Sequence, residues 1–529
     1  MGFKYIKHLT SARETSQTQP IAGREADMSP NAAGGYAFDL DDWARLNRFL
    51  VLGTESGTYY TDERELTAAN AVAVERCVRA EGPRTVHRIV EVSNSGLAPR
   101  NDAAILALAV AAKQGDEGTR KLAFATLASV CRTGTHLFQF AAYIDAMGGW
   151  GRGARTAVGT WYQSKDASEL AYQLVKYRQR GGWTHADLLR LSHPRPSGDT
   201  AALMAFAANK PAAEELPPIV IGYLAARDAA TAEDSARLVV EYGLPRECLR
   251  TEHLGEPVVL AALLESMPLT ALIRNLGNLT AAGVVAPFST GTETVIAHLS
   301  DAERLRRSRV HPMALFLALR TYASGHGVRG SGTWTPVQQV VDALDAAFYA
   351  ALANVAPTNL RLLLAVDVSG SMRQNIMGAS LSAAEAAGAM ALIVARTEPN
   401  HLVLGINTAP LELRISPKMR LDAAMKVVLR AITGGTDLAV PARWLAAERI
   451  EVDGVVTLTD NETWAGRTHP AQAMAAYRRQ VGKPVRNVVA AMTATGHSIG
   501  DPGDPLTLQC AGLDATLPEV IRGFVNADF

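Results

Sequence analysis

The chain has 529 residues, of which 48% are hydrophobic and 20% charged, a composition typical of a soluble globular protein with two or more domains. Its 52 basic residues balance its 52 acidic residues, so overall charge does not indicate nucleic-acid binding and any basic surface must be local. The four cysteines are widely separated and form no CxxC pair, which argues against a zinc site and a disulfide framework. The sequence shows no secretory signal and no membrane span, and we expect a cytoplasmic protein without a membrane partner.

The first two segments along the chain differ sharply in pattern. Residues 1–34 are polar and punctuated by Gly, Ala and Pro, and we interpret them as a flexible N-terminal tail. Over residues 35–356 apolar positions recur at three- and four-residue spacing, which predicts short helices almost throughout. Gly and Pro clusters break these helices at short intervals. The pattern indicates stacked helix pairs of the HEAT type, although no fixed repeat length is visible.

The most basic local run in the helical segment extends from Lys176 to Arg195. Lys176 and Arg180 are four residues apart, so in a continuous helix they project from one face, with Arg178 between them. The helix that follows is predicted to stop after His193, where prolines begin. The run is a candidate phosphate-binding surface, although a solvated charged face is the commoner origin of such a run.

Two smaller basic groups occur elsewhere in the helical segment. One is the cluster of arginines from Arg304 to Arg309. The other consists of Arg152 and Arg155, in and after the loop with the sequence Gly-Gly-Trp-Gly-Arg-Gly. Judged locally, each group is better explained as a solvated face than as a nucleic-acid site.

After residue 357 the pattern changes to alternating strands and helices. Four apolar runs predict strands, at Leu362–Val366, Leu402–Ile406, Val455–Thr459 and Val488–Met492, and helical segments lie between them. This alternation predicts a doubly wound α/β domain with a mostly parallel sheet over residues 357–529. Ligands of such sheets bind beyond the carboxyl ends of the strands.

Oxygen-bearing side chains follow the predicted strands at that edge. Asp367, Ser369 and Ser371 form a DxSxS loop after the first strand, Thr436 lies in a Thr-Gly-Gly-Thr-Asp loop, and Asp460 follows the third strand. Two carboxylates and three hydroxyls suit a hard divalent cation, most simply one Mg²⁺ ion with an open position for a partner oxygen. The set resembles the metal-ion-dependent adhesion site of the von Willebrand factor A domain.

Alternative interpretations of this loop are weaker. Ser, Thr and Asp are also common helix N-caps, so ordinary capping is the simplest competing explanation. A phosphotransferase of the haloacid dehalogenase type needs a second Asp two residues after the first, and Ser369 occupies that position. The chain contains neither a G-x-S-x-G elbow nor a P-loop motif.

Several long motifs, in order, resemble the Ro sixty-kilodalton autoantigen family, whose bacterial members are called Ro sixty-related proteins. The likeness covers about residues 40 to 529. The motifs are TESGTYYTDERELTAAN (54–70), KYRQRGGWTHADLLRLSHPRP (176–196), MPLTALIRNLGNLT (267–280), HPMALFLALRTY (311–322), RLLLAVDVSGSM (361–372) and TDNETWAGRTHPAQAMAAYRRQ (459–480).

The resemblance implies both architecture and function. It implies a ring-like TROVE module of helical repeats over residues 35–356, closed with the help of the von Willebrand factor A-like domain. It implies that Y RNAs bind the outer surface, that single-stranded 3′ ends of misfolded RNAs enter a basic central hole, and that a 3′ exoribonuclease acts with the complex. Lys176, Arg180 and His193 match family positions for Y RNA contact, and Arg178 belongs to the same basic run. The five metal-site residues also match.

The leading hypothesis is therefore a non-catalytic RNA-binding protein, monomeric within its ribonucleoprotein, that acts in noncoding RNA quality control. The alternative is an Mg²⁺-dependent enzyme acting on phosphoesters, for which Glu462 and His469 are the sequence-local candidates for a base or nucleophile. A third hypothesis is an adhesion-type module whose helical half binds only protein.

Overall fold

A computed structural model describes residues 14–52, 63–95, 101–195, 198, 200–210, 216–327, 331–376, 381–492, 497–511 and 517–527. Residues 1–13 of the predicted tail and most of the 54–70 motif lie outside the described residues. Within the described ranges, no helix is both long enough and apolar enough to cross a membrane.

The helical segment is built from short helices joined by loops and 3-10 turns. Its helices are α1 (Asp42–Leu52), α2 (Glu63–Ser95, interrupted at Glu81), α3 (Asp102–Gln114), α4 (Glu117–Ala125), α5 (Leu127–Val130), α6 (Gly134–Ala146), α7 (Arg152–Gln163), α8 (Ala167–Lys176), α9 (His185–Ser192), α10 (Thr200–Ala207), α11 (Pro218–Arg227), α12 (Ala232–Tyr242), α13 (Pro257–Ser266), α14 (Leu269–Ala281), α15 (Thr290–Ser300), α16 (Ala302–Ser308), α17 (Pro312–Ala323) and α18 (Gln338–Ala350). The predicted helical character of this segment is confirmed.

Local sequence explains why the chain breaks into so many helices. Asp116, Thr133 and Asp166 precede α4, α6 and α8, and each side chain accepts a hydrogen bond from a backbone N–H three residues on. Such N-caps satisfy donors that the first helical turn leaves without partners. Each new helix then buries its apolar face against its neighbours in the chain, which builds an extended core.

The remaining elements form the α/β domain, a small accessory sheet, and a two-stranded hairpin within the helical segment. The strands are β1 (Met28–Pro30), β2 (Tyr36–Asp39), β3 (Gln179–Arg180), β4 (Trp183–Thr184), β5 (Leu362–Asp367), β6 (His401–Ile406), β7 (Pro410–Glu412), β8 (Gly454–Thr459), β9 (Arg486–Ala491), β10 (His497–Ser498) and β11 (Thr507–Ala511), and the helices are α19 (Ala383–Thr397), α20 (Leu421–Ala431), α21 (Val440–Glu448), α22 (Pro470–Val481) and α23 (Leu517–Asn526). The accessory sheet consists of β1, β2 and β10, and the hairpin consists of β3 and β4.

The main sheet has the strand order β11-β9-β8-β5-β6-β7, parallel except for β7 at one edge. Leu364 and Val366 of β5 face the core that contains α19 and α20, whereas Leu363 and Ala365 face the core that contains α21 and α22. This alternation places helices on both faces of the sheet. The predicted doubly wound domain and its four strands are thereby confirmed.

Both ends of the helical series contact the α/β domain. At one end, Leu508 and Cys510 of β11 pack against the helical core, and Val520 of α23 is part of that core. At the other end, α17 and α18 share a core with the main sheet, and Arg320 forms an ion pair with Glu385 at 2.8 Å. The first and the last helices of the segment therefore both pack on the α/β domain, so the helical segment and this domain together form a closed arrangement.

Residues 14–34 differ from the predicted flexible tail. Gln17 is completely buried, and the strand β1 pairs with β2, which also pairs with β10 of the α/β domain. The polar composition that indicated flexibility instead supplies hydrogen bonds, since the backbone N–H of Gln17 donates to the Gly466 carbonyl at 3.1 Å. We call residues 14–36 the N-terminal strap.

Candidate metal centre and nucleic-acid interface

The predicted metal residues meet at the carboxyl edge of the main sheet. Asp367 ends β5 and Asp460 follows β8, and these two strands are parallel neighbours. The backbone N–H of Ser369 donates to one Asp367 carboxylate oxygen at 2.8 Å, and the Thr459 hydroxyl donates to the other at 2.8 Å. The hydroxyls of Ser369 and Ser371 are 3.2 Å apart.

Backbone contacts bring the Thr436 loop to the same edge. The N–H of Gly370 donates to the Gly434 carbonyl at 3.3 Å, which joins the first loop to the second. The N–H of Trp464 donates to the Thr436 carbonyl at 3.1 Å, which joins the second loop to the third. Asp367, Thr436 and Asp460 are all buried, so the three loops surround a recessed polar site.

The electrostatics of this site suit a cation. Burial raises the pKa of Asp367 to about 7, and the nearby Asp460 carboxylate acts in the same direction. Burial also raises the pKa of Asp460, against a hydrogen bond from Ser371 that lowers it. Among the described residues no basic side chain forms an ion pair with Asp367. A divalent ion would compensate the buried negative charge.

The donor set consists of carboxylates and hydroxyls. In the part of the chain that the structure describes, no group of three or more His, Cys, Asp or Glu side chains is arranged to hold a metal. The candidate centre therefore depends on the hydroxyls of Ser369, Ser371 and Thr436 as well as on its two carboxylates. Such a set fits Mg²⁺, which binds oxygen ligands and keeps several waters.

Glu462 and His469, the candidates of the enzyme alternative, have partners in the N-terminal strap. The Ala33 N–H donates to Glu462 at 3.2 Å, and burial raises the pKa of Glu462 to about 7. The His469 ring nitrogen Nε2 donates to the Gln19 carbonyl at 2.6 Å, and burial lowers the pKa of that ring. His469 is thus occupied by a structural contact.

The predicted RNA-contact residues lie on a different part of the molecule, around the end of α8. Lys176 is the last residue of α8, and Arg180 lies in the two-residue strand β3, which pairs with β4. The prediction that these two side chains share one helical face is wrong. Gly181 and Gly182 connect the strands with φ values of 56° and 83°, the positive values that a tight two-residue hairpin turn requires.

Tyrosine side chains hold the two basic groups that precede this hairpin. The Lys176 ammonium donates to the Tyr172 hydroxyl at 2.8 Å, and its nitrogen is 5.0 Å from the centre of that ring. The Arg178 guanidinium donates to the Tyr223 hydroxyl at 2.8 Å. Arg180 is exposed at the hairpin. Three cations therefore lie within five residues of chain, at the end of α8 and the start of the hairpin.

His193 lies at the end of the next helix. α9 starts with a reciprocal pair of hydrogen bonds between Thr184 and Asp187 and ends at Ser192. His193 follows in the left-handed conformation, with φ 45°, and its side chain is exposed. Its backbone N–H donates to the Leu189 carbonyl at 3.0 Å, which fixes the turn.

The comparisons with known proteins fit this architecture. The TROVE domain model matches residues 29–217 and 234–321, and the Ro60 vWA domain model matches residues 361–525. The chain belongs to the Ro60 family. The resemblance inferred from the motifs is thereby confirmed.

Individual relatives of this Ro60-family chain cover nearly its whole length. The RNA-binding protein RO60 of Deinococcus radiodurans is 41% identical over 507 residues, which are 94% of this chain and 95% of that protein. The RNA-binding protein RO60 of Caenorhabditis elegans is 31% identical over 578 residues, covering 94% and 90% of the two chains. The crystal structure of the D. radiodurans RO (RSR) protein matches with a TM-score of 0.78 at 38% identity, over 92% of this chain and 100% of that one.

Sequence reasoning missed several residues that shape the two sites. Tyr172 and Tyr223 bind the basic side chains, but an aromatic residue on a helix gives no local signal of such a contact. Gln17 contacts the Thr463 loop from more than 400 residues away, with the Thr463 hydroxyl donating to its amide oxygen at 2.5 Å. Only a three-dimensional structure reveals pairs so distant in sequence.

Proposed function

We propose that this chain is the protein component of a ribonucleoprotein that binds a Y RNA on the outer surface of its helical ring. Single-stranded 3′ ends of misfolded or immature RNAs enter the ring hole, and a 3′ exoribonuclease acts on them in the cytoplasm. The chain itself is a monomer in this complex and performs no catalysis. The RNA-binding names of the Ro60 relatives and the match to the TROVE domain support this function.

One observation carries the assignment of the RNA-contact surface. Lys176, Arg178 and Arg180 stand around a glycine hairpin, and His193 is exposed in a fixed turn nearby. Phosphate groups of RNA bind such clustered cations and release counterions, so affinity falls as the salt concentration rises. Hydrogen bonds to Tyr172 and Tyr223 restrict Lys176 and Arg178 in advance, which lowers the entropic cost of binding.

Replacing Lys176 and Arg180 together by alanine tests this assignment. We expect weaker binding of a labelled stem-loop RNA, and a plot of log affinity against log salt that is shallower by roughly 0.7 to 0.9 for each phosphate that is no longer neutralised. Arg237→Ala is the matched control, because Arg237 is exposed but forms an ion pair with Glu241 at 3.1 Å. Wild-type affinity and slope in the double variant, measured by filter binding, would refute the assignment.

We further propose that Asp367, Ser369, Ser371, Thr436 and Asp460 hold one Mg²⁺ ion. When bound, the ion supplies a positively charged position that accepts an oxygen ligand from a partner molecule. The chain's own contribution is to orient the ligands: Thr459 and the Ser369 backbone fix the Asp367 carboxylate, and the recessed site restricts access to slender groups. Isothermal titration of the metal-free protein with Mg²⁺ tests the site.

The non-catalytic character is tested with the pure protein. Labelled RNA incubated with the protein and Mg²⁺ should keep its full length, because the ring of His469, a candidate base, is held against the N-terminal strap by its Nε2 hydrogen bond to the Gln19 carbonyl. Cleavage that disappears in the Asp367→Asn variant would support the alternative, an Mg²⁺-dependent phosphoesterase.

A further inference from the structure

The glycine-rich loop of residues 148–152 lies directly beside the hairpin that carries Arg180. The rings of Trp150 and Trp183 have their centres 5.5 Å apart, and Trp183 is part of β4. The ring contact thus joins the loop to the hairpin through two large side chains. We call residues 148–152 the tryptophan loop.

The tryptophan loop has an open surface. Gly148 and Gly149 have positive φ values of 98° and 81°, and a Cβ added at Gly148, Gly149 or Gly151 would meet no atom within 4 Å. Arg152, the last residue of the loop, is exposed. A ligand can therefore approach both the backbone of the loop and the guanidinium of Arg152.

The helix that follows the loop supports the turn at His193. In α7, the guanidinium of Arg155 donates from Nη1 to the Leu191 carbonyl at 3.1 Å. Leu191 is in the last turn of α9, where carbonyls lack helical partners and accept bonds from basic side chains. At the other end of α7, the Gln163 side-chain nitrogen donates to the Arg195 carbonyl at 2.8 Å. These two bonds fix the chain on both sides of His193.

Three arginines of this surface have no acidic partner among the described residues. Among the described residues, Arg152, Arg180 and Arg195 form no ion pair. Some other exposed arginines of the helical part form them, such as Arg76 with Asp42 at 2.6 Å and Arg306 with Glu303 at 2.7 Å, whereas others, such as Arg120, form none among the described residues. Uncompensated cations on adjoining loops favour a polyanion with regularly spaced charges, which describes an RNA backbone.

We propose that the tryptophan loop extends the RNA-contacting surface, with Arg152 binding a further phosphate and Arg155 acting as a positioning residue for the His193 turn. This inference rests on the RNA-binding function proposed above and adds residues to it. Arg155 acts through the Leu191 carbonyl and does not itself contact the RNA. The two arginines, three residues apart, therefore have different roles.

The two roles predict different effects on the salt dependence of RNA affinity. Arg152→Ala should weaken binding of a labelled stem-loop RNA several-fold and should make the salt plot shallower by roughly 0.7 to 0.9, because one phosphate fewer is neutralised. Arg155→Met keeps the aliphatic part of the side chain but removes the hydrogen bond to Leu191. We expect it to weaken binding several-fold with an unchanged slope, and Arg155→Lys should restore part of the affinity.

The outcomes separate this inference from the function on which it rests. Arg237→Ala is again the control, and thermal melting followed by circular dichroism verifies that each variant is folded. If the Lys176/Arg180 double variant loses affinity while Arg152→Ala and Arg155→Met match the wild type, the inference is overturned and the function stands. If all of them match the wild type, the assignment of the Lys176 and Arg180 surface also fails, whereas only a wild-type protein that does not bind the RNA would refute the RNA-binding function. A shallower slope in Arg155→Met would overturn the positioning role and indicate that Arg155 binds the RNA directly.

Discussion

Asp367 combines complete burial with two hydrogen bonds from the loops around it. The DxSxS spacing predicted its neighbours Ser369 and Ser371, because all three belong to one loop at the end of one strand. Asp460 was predictable for the same local reason, as the first residue after β8. The burial of Glu462 was not predictable, since its cover includes Ala33 of the N-terminal strap.

The raised pKa of Asp367 gives a prediction about pH. In the folded protein this pKa is about 7, above the usual value of 3.8, so folding favours the protonated form. This contribution to stability is present below pH 3.8 and is lost as pH rises through about 7. Metal-free protein should therefore melt at a lower temperature at pH 8 than at pH 5. Asp367→Asn should reduce that difference, because asparagine does not ionise.

Mg²⁺ should offset the lower melting temperature at pH 8 in the wild type but not in Asp367→Asn. At a concentration 100 times its dissociation constant, a ligand adds about 2.7 kcal/mol of stability. We expect Mg²⁺ to raise the melting temperature of the wild type by several degrees at pH 8, and to have almost no effect on Asp367→Asn. Equal stabilisation of both proteins, measured by differential scanning fluorimetry, would contradict the assigned ligand set.

At the scale of elements, the type of an element was more predictable than its ends. The expected helix through Lys176 and Arg180 stops at Lys176, because Tyr177 leaves the helical conformation and the chain then enters a hairpin whose turn is formed by Gly181 and Gly182. The prediction that the N-terminal strap is flexible was wrong for another reason. Its polar side chains find partners in loops of the α/β domain, and composition alone does not distinguish hydrogen-bonded from solvated polar residues.

Gln17 provides the test of the strap. Its side-chain nitrogen donates to Asp437 at 2.7 Å and to the Thr468 carbonyl at 2.8 Å, and its oxygen accepts from Thr463. Gln17→Leu should destabilise the protein by roughly 2 to 4 kcal/mol, because buried polar groups lose their partners. It should also weaken Mg²⁺ binding, since the strap holds the loop that contains Asp460 and Thr463. Chemical unfolding and isothermal titration measure the two effects.

A matched substitution lies two residues away. Gln19 is exposed, and its backbone carbonyl rather than its side chain makes the contact with His469. Gln19→Leu should therefore leave stability and Mg²⁺ affinity close to the wild-type values. Equal losses in the two variants would mean that the strap responds to hydrophobic substitution in general and not to removal of the Gln17 hydrogen bonds.

At the scale of the whole molecule, the contact between the first helices and the α/β domain joins segments that are far apart in the sequence. Hydrophobic periodicity predicted helices and strands, but no periodic pattern predicts that Val520 joins the core of the first helices. The resemblance to a family with a ring supplied this expectation, and the match to a solved relative confirms the fold. The physical basis is burial of apolar surface at the junction of α1, β11 and α23.

Cys510 offers a way to measure the closure. Cys510 is half-buried and lies near Arg48 of α1, and desolvation raises the pKa of its thiol to about 12, so little reactive thiolate forms at pH 8. Val520→Asp places a carboxylate in the apolar junction, at a cost of several kcal/mol by the usual penalty for burying a charge. We expect the junction to loosen and the alkylation rate of Cys510 to rise about tenfold or more.

The other cysteines and a surface variant complete the experiment. Cys131 and Cys248 are buried within the helical part, outside the three elements of the junction, and should stay unmodified while circular dichroism shows native helix content; Cys77 is also buried, but its thiol contacts the Asp42 carbonyl of α1 and is not a distant control. Arg522→Ala, on the same helix as Val520, should leave Cys510 as slow to react as in the wild type. If Val520→Asp exposes all four thiols together, as judged by mass spectrometry of alkylated peptides, then the helical part and the α/β domain unfold as one unit. Selective labelling of Cys510 would instead identify the junction as the point at which the closed series of helices opens.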